Sequence, residues 1–238
     1  MNQNPDIAVT ANSVTLEIMK DIFLLKNTDV FHNFPDHESL DNVLRMVYPA
    51  FYKNWNYKYI IDRGPVGTVN NLGLMKKYFK QPIKCIVLLR DLLDVLASYV
   101  KWFETEPTSF INRFGRKTIE SKLSMLMHNN GAVAKELKCI QNLLKPENKS
   151  MCCFIKYDEL VENPEATLQK VYTFLNIPYF SHTFVGLNQL VVNGIPYNDN
   201  IVGRNMHLIR TDGVKKIPNP YRDKIPQRIK EKYEHISF

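Results

Sequence analysis

The chain has 238 residues, of which 45% are hydrophobic and 23% are charged. This balance is typical of a globular protein and excludes collagen-like, disulfide-scaffold and disordered classes. The net charge is +7, and residues 201–238 contain nine basic residues but only four acidic ones. A basic segment of this kind favours an anionic ligand, a nucleic acid or a solvated surface.

The spacing of the glycines and cysteines excludes further kinds of protein and site. The nine glycines stand singly and form neither GxGxxG nor GxxxxGK[ST], so these 238 residues contain no glycine-rich loop that would cradle phosphates. No run of 18 apolar residues occurs, and the sequence starts without a signal-peptide core, so we expect no membrane span. The four cysteines include no CxxC pair. We therefore expect free thiols in a reducing, cytoplasmic compartment and no metal site.

Predicted helices and strands alternate along the chain. After a turn at 4–6, helical periodicity begins at a Ser13 cap and recurs at 36–49, 68–79, 91–103, 116–144, 164–175 and from Pro226 onward. Short apolar runs lie at 57–61, 83–89 and 151–155. Strands that are apolar on both faces and alternate with helices are typical of a parallel sheet covered on both sides. We predict an α/β fold, with helices flanking a parallel sheet, in a single domain spanning 1–238.

The end of the strand at 83–89 carries the first candidate site. Ligands of open parallel sheets bind beyond the carboxyl ends of the strands. Arg90 follows this strand directly, and Ser98 lies in the next predicted helix. A guanidinium and a hydroxyl can together hold a phosphate through charge-assisted hydrogen bonds. The alternative is that Arg90 pairs with Asp91 or Asp94 and that Ser98 is a small packing residue.

The other two strand ends are also charged. The strand at 57–61 is followed by Asp62, Arg63 and a tight turn at Gly64. Arg63 either faces the same crevice or forms a surface ion pair with Asp62. The third strand ends before Asp158 and Glu159, which we expect to cap the next short helix.

Two segments resemble sulfotransferases. The segment 85–99, Cys-Ile-Val-Leu-Leu-Arg-Asp-Leu-Leu-Asp-Val-Leu-Ala-Ser-Tyr, is similar to the strand–Arg–x–x–x–Asp–x–x–x–Ser–Tyr segment that holds the 3′-phosphate of 3′-phosphoadenosine 5′-phosphosulfate (PAPS) in that family. The segments 154–160, 163–165 and 174–178 resemble the later Tyr-Glu-Asp-Leu, Pro and Phe-Leu-Gly-Ile stretch. The blocks are clearest within 57–178 and stand in the family's order.

The resemblance implies a fold, a reaction and site residues. The fold is the P-loop-type parallel sheet of sulfotransferases, and the reaction is transfer of a sulfuryl group from PAPS to a hydroxyl or amine. Arg90 and Ser98 are then ligands of the 3′-phosphate. Arg63 stands where the family often has a lysine, which implies a cationic stabilising role. The family's Lys-Thr-His is replaced by Asp62-Arg63-Gly64, so Asp62 is a possible base.

Two further positions remain possible bases, His37 and Glu38.

Toward the C-terminus, the segment 202–210 resembles the basic loop that closes over the nucleotide in many members. This implies that Arg204 or Arg210 contacts the 3′-phosphate. The alternative for each arginine is a solvated basic surface.

One departure from the family concerns the N-terminus. Members begin with a strand and a Pro-Arg-Ser-Gly-Ser/Thr-Thr-like loop that binds the 5′-phosphosulfate, whereas the segment 2–5 resembles the end of the helix that follows this loop. We therefore expect an N-terminally truncated version of the fold. This expectation leaves open a non-catalytic nucleotide-binding or interaction protein. A nucleic-acid binder is disfavoured because few aromatic residues accompany the basic ones, and a nucleotide kinase because no Walker loop is present.

Overall fold

The computed structural model describes residues 1–107, 112, 115, 117–198 and 209–236. The chain divides into two compact units. The first comprises Met1–Cys85, Glu136–Cys152 and Val191–Ile195, and the second comprises Ile86–Lys135, Cys153–Leu190 and Pro196–Phe238. The single domain over 1–238 stays a prediction.

Helices dominate both units. Along the described chain the helices are α1 (Thr15–Leu24), α2 (Asp29–Asn33), α3 (His37–Phe51), α4 (Val69–Tyr78), α5 (Leu92–Thr105), α6 (Ile119–Met127), α7 (Ala132–Leu143), α8 (Pro146–Lys149), α9 (Tyr157–Glu162), α10 (Pro164–Leu175) and α11 (Gln227–Tyr233). The strands are β1 (Ile7–Val9), β2 (Tyr59–Ile61), β3 (Cys85–Leu89), β4 (Cys152–Lys156), β5 (Val191–Val192) and β6 (Ile195–Pro196). Short 3-10 turns lie at Leu25–Asn27 and Pro220–Arg222. Within the ranges given above, no helix is both long enough and apolar enough to cross a membrane.

The strands form pairs. β1 pairs with β2, β3 with β4 and β5 with β6. β1 and β2 are parallel, with Ile7 opposite Tyr59 and Val9 opposite Ile61. The predicted α/β class, with parallel strands between helices, is confirmed. The sequence pattern missed β1, because a three-residue strand is too short to show a period and only its pairing with β2 defines it.

Capping side chains explain where several helices begin. Asp36 accepts a hydrogen bond from the backbone N of Ser39 at the start of α3, and Thr68 does the same for Asn71 at the start of α4. The predicted Ser13 cap is wrong by one position, because Val14 is the residue that precedes α1 and offers no side-chain acceptor. The predicted cap before α9 is also wrong, because Lys156 occupies that position without a side-chain cap.

The long helix predicted at 116–144 is wrong. The structure has two helices, α6 and α7, separated by a turn in which the backbone N of Gly131 donates to the carbonyl oxygen of His128 at 2.6 Å. A Cβ atom at Gly131 would collide with the backbone oxygens of Met125 and Leu126. The apolar spacing continues across the turn, so periodicity alone did not reveal the break.

The core of the first unit lies between α1, α3 and α4. Met19, Leu44, Val47, Leu74 and Tyr78 form one buried cluster. These contacts pack α1 against α3, the first and the last of the three helices between β1 and β2. These two helices, which lie between the paired strands, are therefore held together by a packed core.

The core of the second unit is built around α5. Leu96 and Val100 are fully buried on this helix, while Val171 of α10 and Ile229 of α11 are also buried in the unit. A helix buried along most of its length can hold its N-terminal polar groups in fixed positions. This matters for the site because α5 directly follows β3 and Arg90.

Candidate functional site

The Arg90 guanidinium has a buried nitrogen without a hydrogen-bond partner among the described residues. Leu89, the last residue of β3, is buried, and Arg90 follows it at the strand end. The guanidinium carbon lies 4.5 Å from the ring centroid of Tyr157, the first residue of α9. Its Nε atom is buried and makes no hydrogen bond to any described residue. A buried donor without a partner is costly, so this group points to a ligand or an ordered water.

The acidic neighbours of Arg90 are paired elsewhere. Arg222 Nη1 lies 2.7 Å from Asp91 Oδ1 and 2.6 Å from Asp94 Oδ1. The hydrogen bond to Asp94, followed by the charge of Asp91, raises the pKa of the Arg222 guanidinium. Among the described residues, therefore, Arg90 does not pair with Asp91 or Asp94.

Ser98 lies on α5, about two helical turns beyond Arg90. Its hydroxyl donates to the backbone oxygen of Asp94 at 2.9 Å and accepts from Asn219 Nδ2 at 3.4 Å. Asp91, Asp94 and Ser98 share one face of α5, because they are spaced by three and four residues. To bind a phosphate, the Ser98 hydroxyl must turn its proton away from the Asp94 carbonyl.

Asp62 follows β2 and is held by two hydroxyls. Thr10 Oγ1 donates to Asp62 Oδ1 at 2.8 Å, and Thr15 Oγ1 donates to Asp62 Oδ2 at 2.6 Å. Thr10 follows β1, and Thr15 begins α1. The carboxylate therefore joins the ends of both parallel strands to the first turn of α1.

Arg63 does not use its guanidinium to bind Asp62. Its Nη1 atom donates to the backbone oxygen of Ala11 at 3.0 Å, and its backbone N donates to Thr10 Oγ1 at 2.8 Å. The side chain is exposed. The surface ion pair with Asp62 is thus not formed, and the guanidinium can exchange a single carbonyl contact for an anion.

Two phenols of α3 lie within the electrostatic influence of Asp62. Burial raises the pKa of both Tyr48 and Tyr52, and the negative charge of Asp62 raises it further. The Tyr52 hydroxyl is buried and makes no hydrogen bond to any described residue. The sequence pattern did not identify either tyrosine, because their spacing on α3 is also that of ordinary core residues.

The remaining candidates are exposed or lie outside the described residues. His37 and Glu38 are exposed in the first turn of α3, and the His37 ring packs edge-on against Phe31. Arg210 is exposed, and Arg204 lies outside the described residues. No group of three or more His, Cys, Asp or Glu residues able to hold a metal occurs in the described parts of the chain.

These features first define the class of protein to which the chain belongs. The chain is an α/β protein with a cationic side chain at the carboxyl end of β3, the end of a strand at which ligands of such folds bind. The family comparison then gives the family. The model described as "Sulfotransferase domain" matches residues 65–187, more than half of the chain. The chain therefore belongs to the sulfotransferase domain family, as the resemblance of residues 85–99 predicted. Arg90, Ser98 and Tyr157 lie within the match, whereas Asp62 and Arg63 immediately precede it.

Two solved structures are similar to the chain. The sulfotransferase domain from the curacin biosynthetic pathway is 17% identical, with 92% of this chain and 78% of that one covered and a TM-score of 0.44. Mouse sulfotransferase SULT7A1, complexed with PAP, is 14% identical, with coverages of 79% and 68% and a TM-score of 0.49. No curated protein matches the sequence.

Proposed function

We propose that this chain binds PAPS, with Arg90 and Ser98 holding the 3′-phosphate, and transfers the sulfuryl group to a hydroxyl or amine acceptor. The observation that carries the proposal is the Nε atom of Arg90 at the end of β3, which is buried and has no hydrogen-bond partner within the described chain. Family membership supports the reaction class. The resemblance of residues 85–99 supports the donor.

The chemistry of the Arg90 site suits a phosphate. A phosphate monoester is dianionic at neutral pH and offers several acceptor oxygens, which match the planar donor fork of an arginine. The Tyr157 ring restricts the guanidinium from one side. Ser98 adds a hydroxyl donor from α5, the helix that follows Arg90.

The transfer step requires two further groups. The bond between the sulfur and the 5′-phosphate oxygen breaks, and the electron pair stays with adenosine 3′,5′-bisphosphate. A new bond forms from sulfur to the acceptor oxygen or nitrogen, whose proton passes to a base. Following the family resemblance, Arg63 is proposed to stabilise the charge on the leaving oxygen and Asp62 to accept the proton. Each Asp62 oxygen already accepts one hydroxyl and keeps a second lone pair for this purpose.

The same proposal includes the C-terminal arginines and the compartment. Arg204 and Arg210 are proposed as additional ligands of the 3′-phosphate, which is supported by the excess of basic residues in 201–238. The four cysteines are all free, which supports a reducing compartment such as the cytoplasm.

A second function is favoured by one observation. Both oxygens of the Asp62 carboxylate are engaged by Thr10 and Thr15, as in a structural anchor. If Asp62 serves only as an anchor, the chain binds the nucleotide without transferring the sulfuryl group. Release of adenosine 3′,5′-bisphosphate from PAPS, measured with a panel of alcohols and amines, distinguishes the two: the transferase releases it in an acceptor-dependent manner, and the binding protein does not.

Nucleotide binding tests the donor site directly. We expect adenosine 3′,5′-bisphosphate to stabilise the wild-type protein, by about 2.7 kcal/mol at a hundredfold excess over Kd. Arg90→Ala should reduce this stabilisation to less than about 1 kcal/mol at the same ligand concentration, whereas Lys101→Ala, which removes an exposed cation from the same helix, should retain it. ADP, which lacks the 3′-phosphate, should stabilise the wild type less. Equal stabilisation of wild type and Arg90→Ala, or none in either, contradicts the proposal.

A further inference from the structure

A cation-bearing segment of the second unit contacts the candidate donor site. We name residues 215–224 the C-terminal strap. Arg222 Nη1 binds Asp91 and Asp94 at 2.7 and 2.6 Å, and Asn219 Nδ2 donates to Ser98 Oγ at 3.4 Å. Farther out, Lys216 binds Asp158 at 2.7 Å and Lys224 binds Glu104 at 2.6 Å.

The strap contacts the face of α5 on which Asp91, Asp94 and Ser98 lie. Asp91 caps α5 by accepting from the backbone N of Asp94 at 2.9 Å, so its carboxylate is fixed at the helix N-terminus. Two carboxylates in this position repel an incoming phosphate. They also lie next to Arg90 in the sequence and would compete with the phosphate for its guanidinium if no other cation were present.

Arg222 removes both obstacles in the structure. Arg222 Nη1 donates to both carboxylates, and among the described residues Arg90 Nε has no hydrogen-bond partner while its guanidinium lies over the Tyr157 ring. Asp94 is the less exposed of the two acids, with 30% of its side chain accessible, so this pair is screened less than an ordinary surface pair. Asn219 donates to Ser98 Oγ, which leaves the hydroxyl proton as the group that can turn toward a ligand.

We infer that Arg222 and Asn219 are positioning residues of the donor site: Arg222 neutralises Asp91 and Asp94 so that Arg90 stays available for the 3′-phosphate, and Asn219 orients the Ser98 hydroxyl. This inference rests on the proposed function. It gives the C-terminal strap a role in donor affinity without direct contact with the nucleotide.

The test is calorimetric titration with adenosine 3′,5′-bisphosphate. Arg222→Gln should weaken binding about tenfold, because the two carboxylates then repel the phosphate and attract Arg90. Arg222→Lys, which keeps the positive charge, should recover most of the affinity. Lys224→Gln is the matched control, since it removes a strap cation whose partner Glu104 lies near the other end of α5. The Lys224→Gln variant should bind adenosine 3′,5′-bisphosphate with the affinity of the wild type.

A charge rescue separates this role from a structural one. Adding Asp91→Asn and Asp94→Asn to Arg222→Gln removes the repulsion while asparagine keeps the capping ability of Asp91. We expect affinity within about threefold of the wild type. A merely structural Arg222 would give no rescue, because the strap remains unattached in the triple variant. The affinity for ADP should change much less than that for the bisphosphate in every variant.

The outcomes are distinct. Unchanged affinity in Arg222→Gln, a triple variant as weak as Arg222→Gln, or an equal loss for ADP overturns the role of Arg222. Asn219→Ala should weaken binding about threefold in the wild-type background and have no effect when Ser98 is already alanine; equal losses in both backgrounds overturn the role of Asn219. A wild-type protein that binds no bisphosphate overturns the proposed function itself, and the inference with it.

Discussion

At the end of β2, the Asp62 carboxylate accepts hydroxyl hydrogen bonds from Thr10 and Thr15, whereas at the end of β3 the Arg90 guanidinium keeps a buried nitrogen without a partner in the described chain. Both residues follow short strands and carry charge. Their surroundings differ, because the first is satisfied within its own unit and the second is not. Hydrogen bonds to a partly buried charge offset the cost of burying it, whereas a buried donor without a partner lowers stability and favours a ligand. Substitutions at the two strand ends should therefore affect different measurements.

The largest effect is expected at Asp62. Asp62→Ala removes the acceptor of two buried hydroxyls, of which Thr15 is fully buried, and should lower the free energy of unfolding by about 2 to 4 kcal/mol. Asp62→Asn should lower the free energy of unfolding by less, because the amide oxygen of asparagine can still accept one of the two hydrogen bonds. Urea denaturation of both variants measures the difference. A loss below about 1 kcal/mol in Asp62→Ala would show that the carboxylate is not an anchor.

Arg90 should give the opposite pattern. Arg90→Ala should weaken binding of adenosine 3′,5′-bisphosphate by about 30- to 100-fold, the equivalent of roughly 2 to 3 kcal/mol for a charge-assisted pair. The free energy of unfolding should change by less than about 1 kcal/mol, since the lost contact with Tyr157 is offset by the removal of an unpaired buried donor. Titration and urea denaturation of the same variant check both values. A strongly destabilised variant would remove the contrast with Asp62.

The phenols near Asp62 predict a loss of stability in alkali. Burial raises the pKa of Tyr48 and Tyr52 above the value of about 10 expected in the unfolded chain. Above pH 10 the unfolded state releases these protons while the folded state retains them, so stability is intact below pH 10 and falls above it. After allowance for solvent screening, we expect about 1 kcal/mol for the pair between pH 10 and 11.

Denaturation at pH 9, 10 and 11 measures this dependence. The double variant Tyr48→Phe and Tyr52→Phe should show a shallower decline than the wild type over the same range. Identical pH profiles for the two proteins would show that neither phenol is held neutral by burial.

The smallest effect is expected at Ser98. Its hydroxyl already donates to the Asp94 carbonyl, so binding a phosphate gains one bond but gives up another. Ser98→Ala should weaken binding of the bisphosphate by about threefold to fivefold, which is roughly 1 kcal/mol or less. Its stability should be unchanged, because alanine is a better helix former. An effect as large as that of Arg90→Ala would mean that Ser98 is the dominant ligand.

Local patterns in the sequence predicted most of the fold. The helices α3, α4, α5 and α10 follow from apolar spacing and from capping or initiating residues at their starts, and β3 and β4 follow from apolar runs. The helix predicted at 116–144 was wrong because the apolar spacing crosses a turn that depends on Gly131. The sequence pattern did not predict β1, because the pairing of β1 with β2 joins residues about fifty positions apart.

For the candidate site, the sequence determined the identity and order of the charged residues that follow each strand, and with them the family. It could not determine which of these charges would be neutralised. That was decided by contacts between distant segments: Thr10 and Thr15 with Asp62, and Arg222 with Asp91 and Asp94. Ion pairs and hydrogen bonds depend on distances of a few ångströms, which spacing along the chain does not specify. Only the tertiary structure, therefore, left Arg90 Nε without a partner in the described chain and Asp62 with two hydroxyl donors.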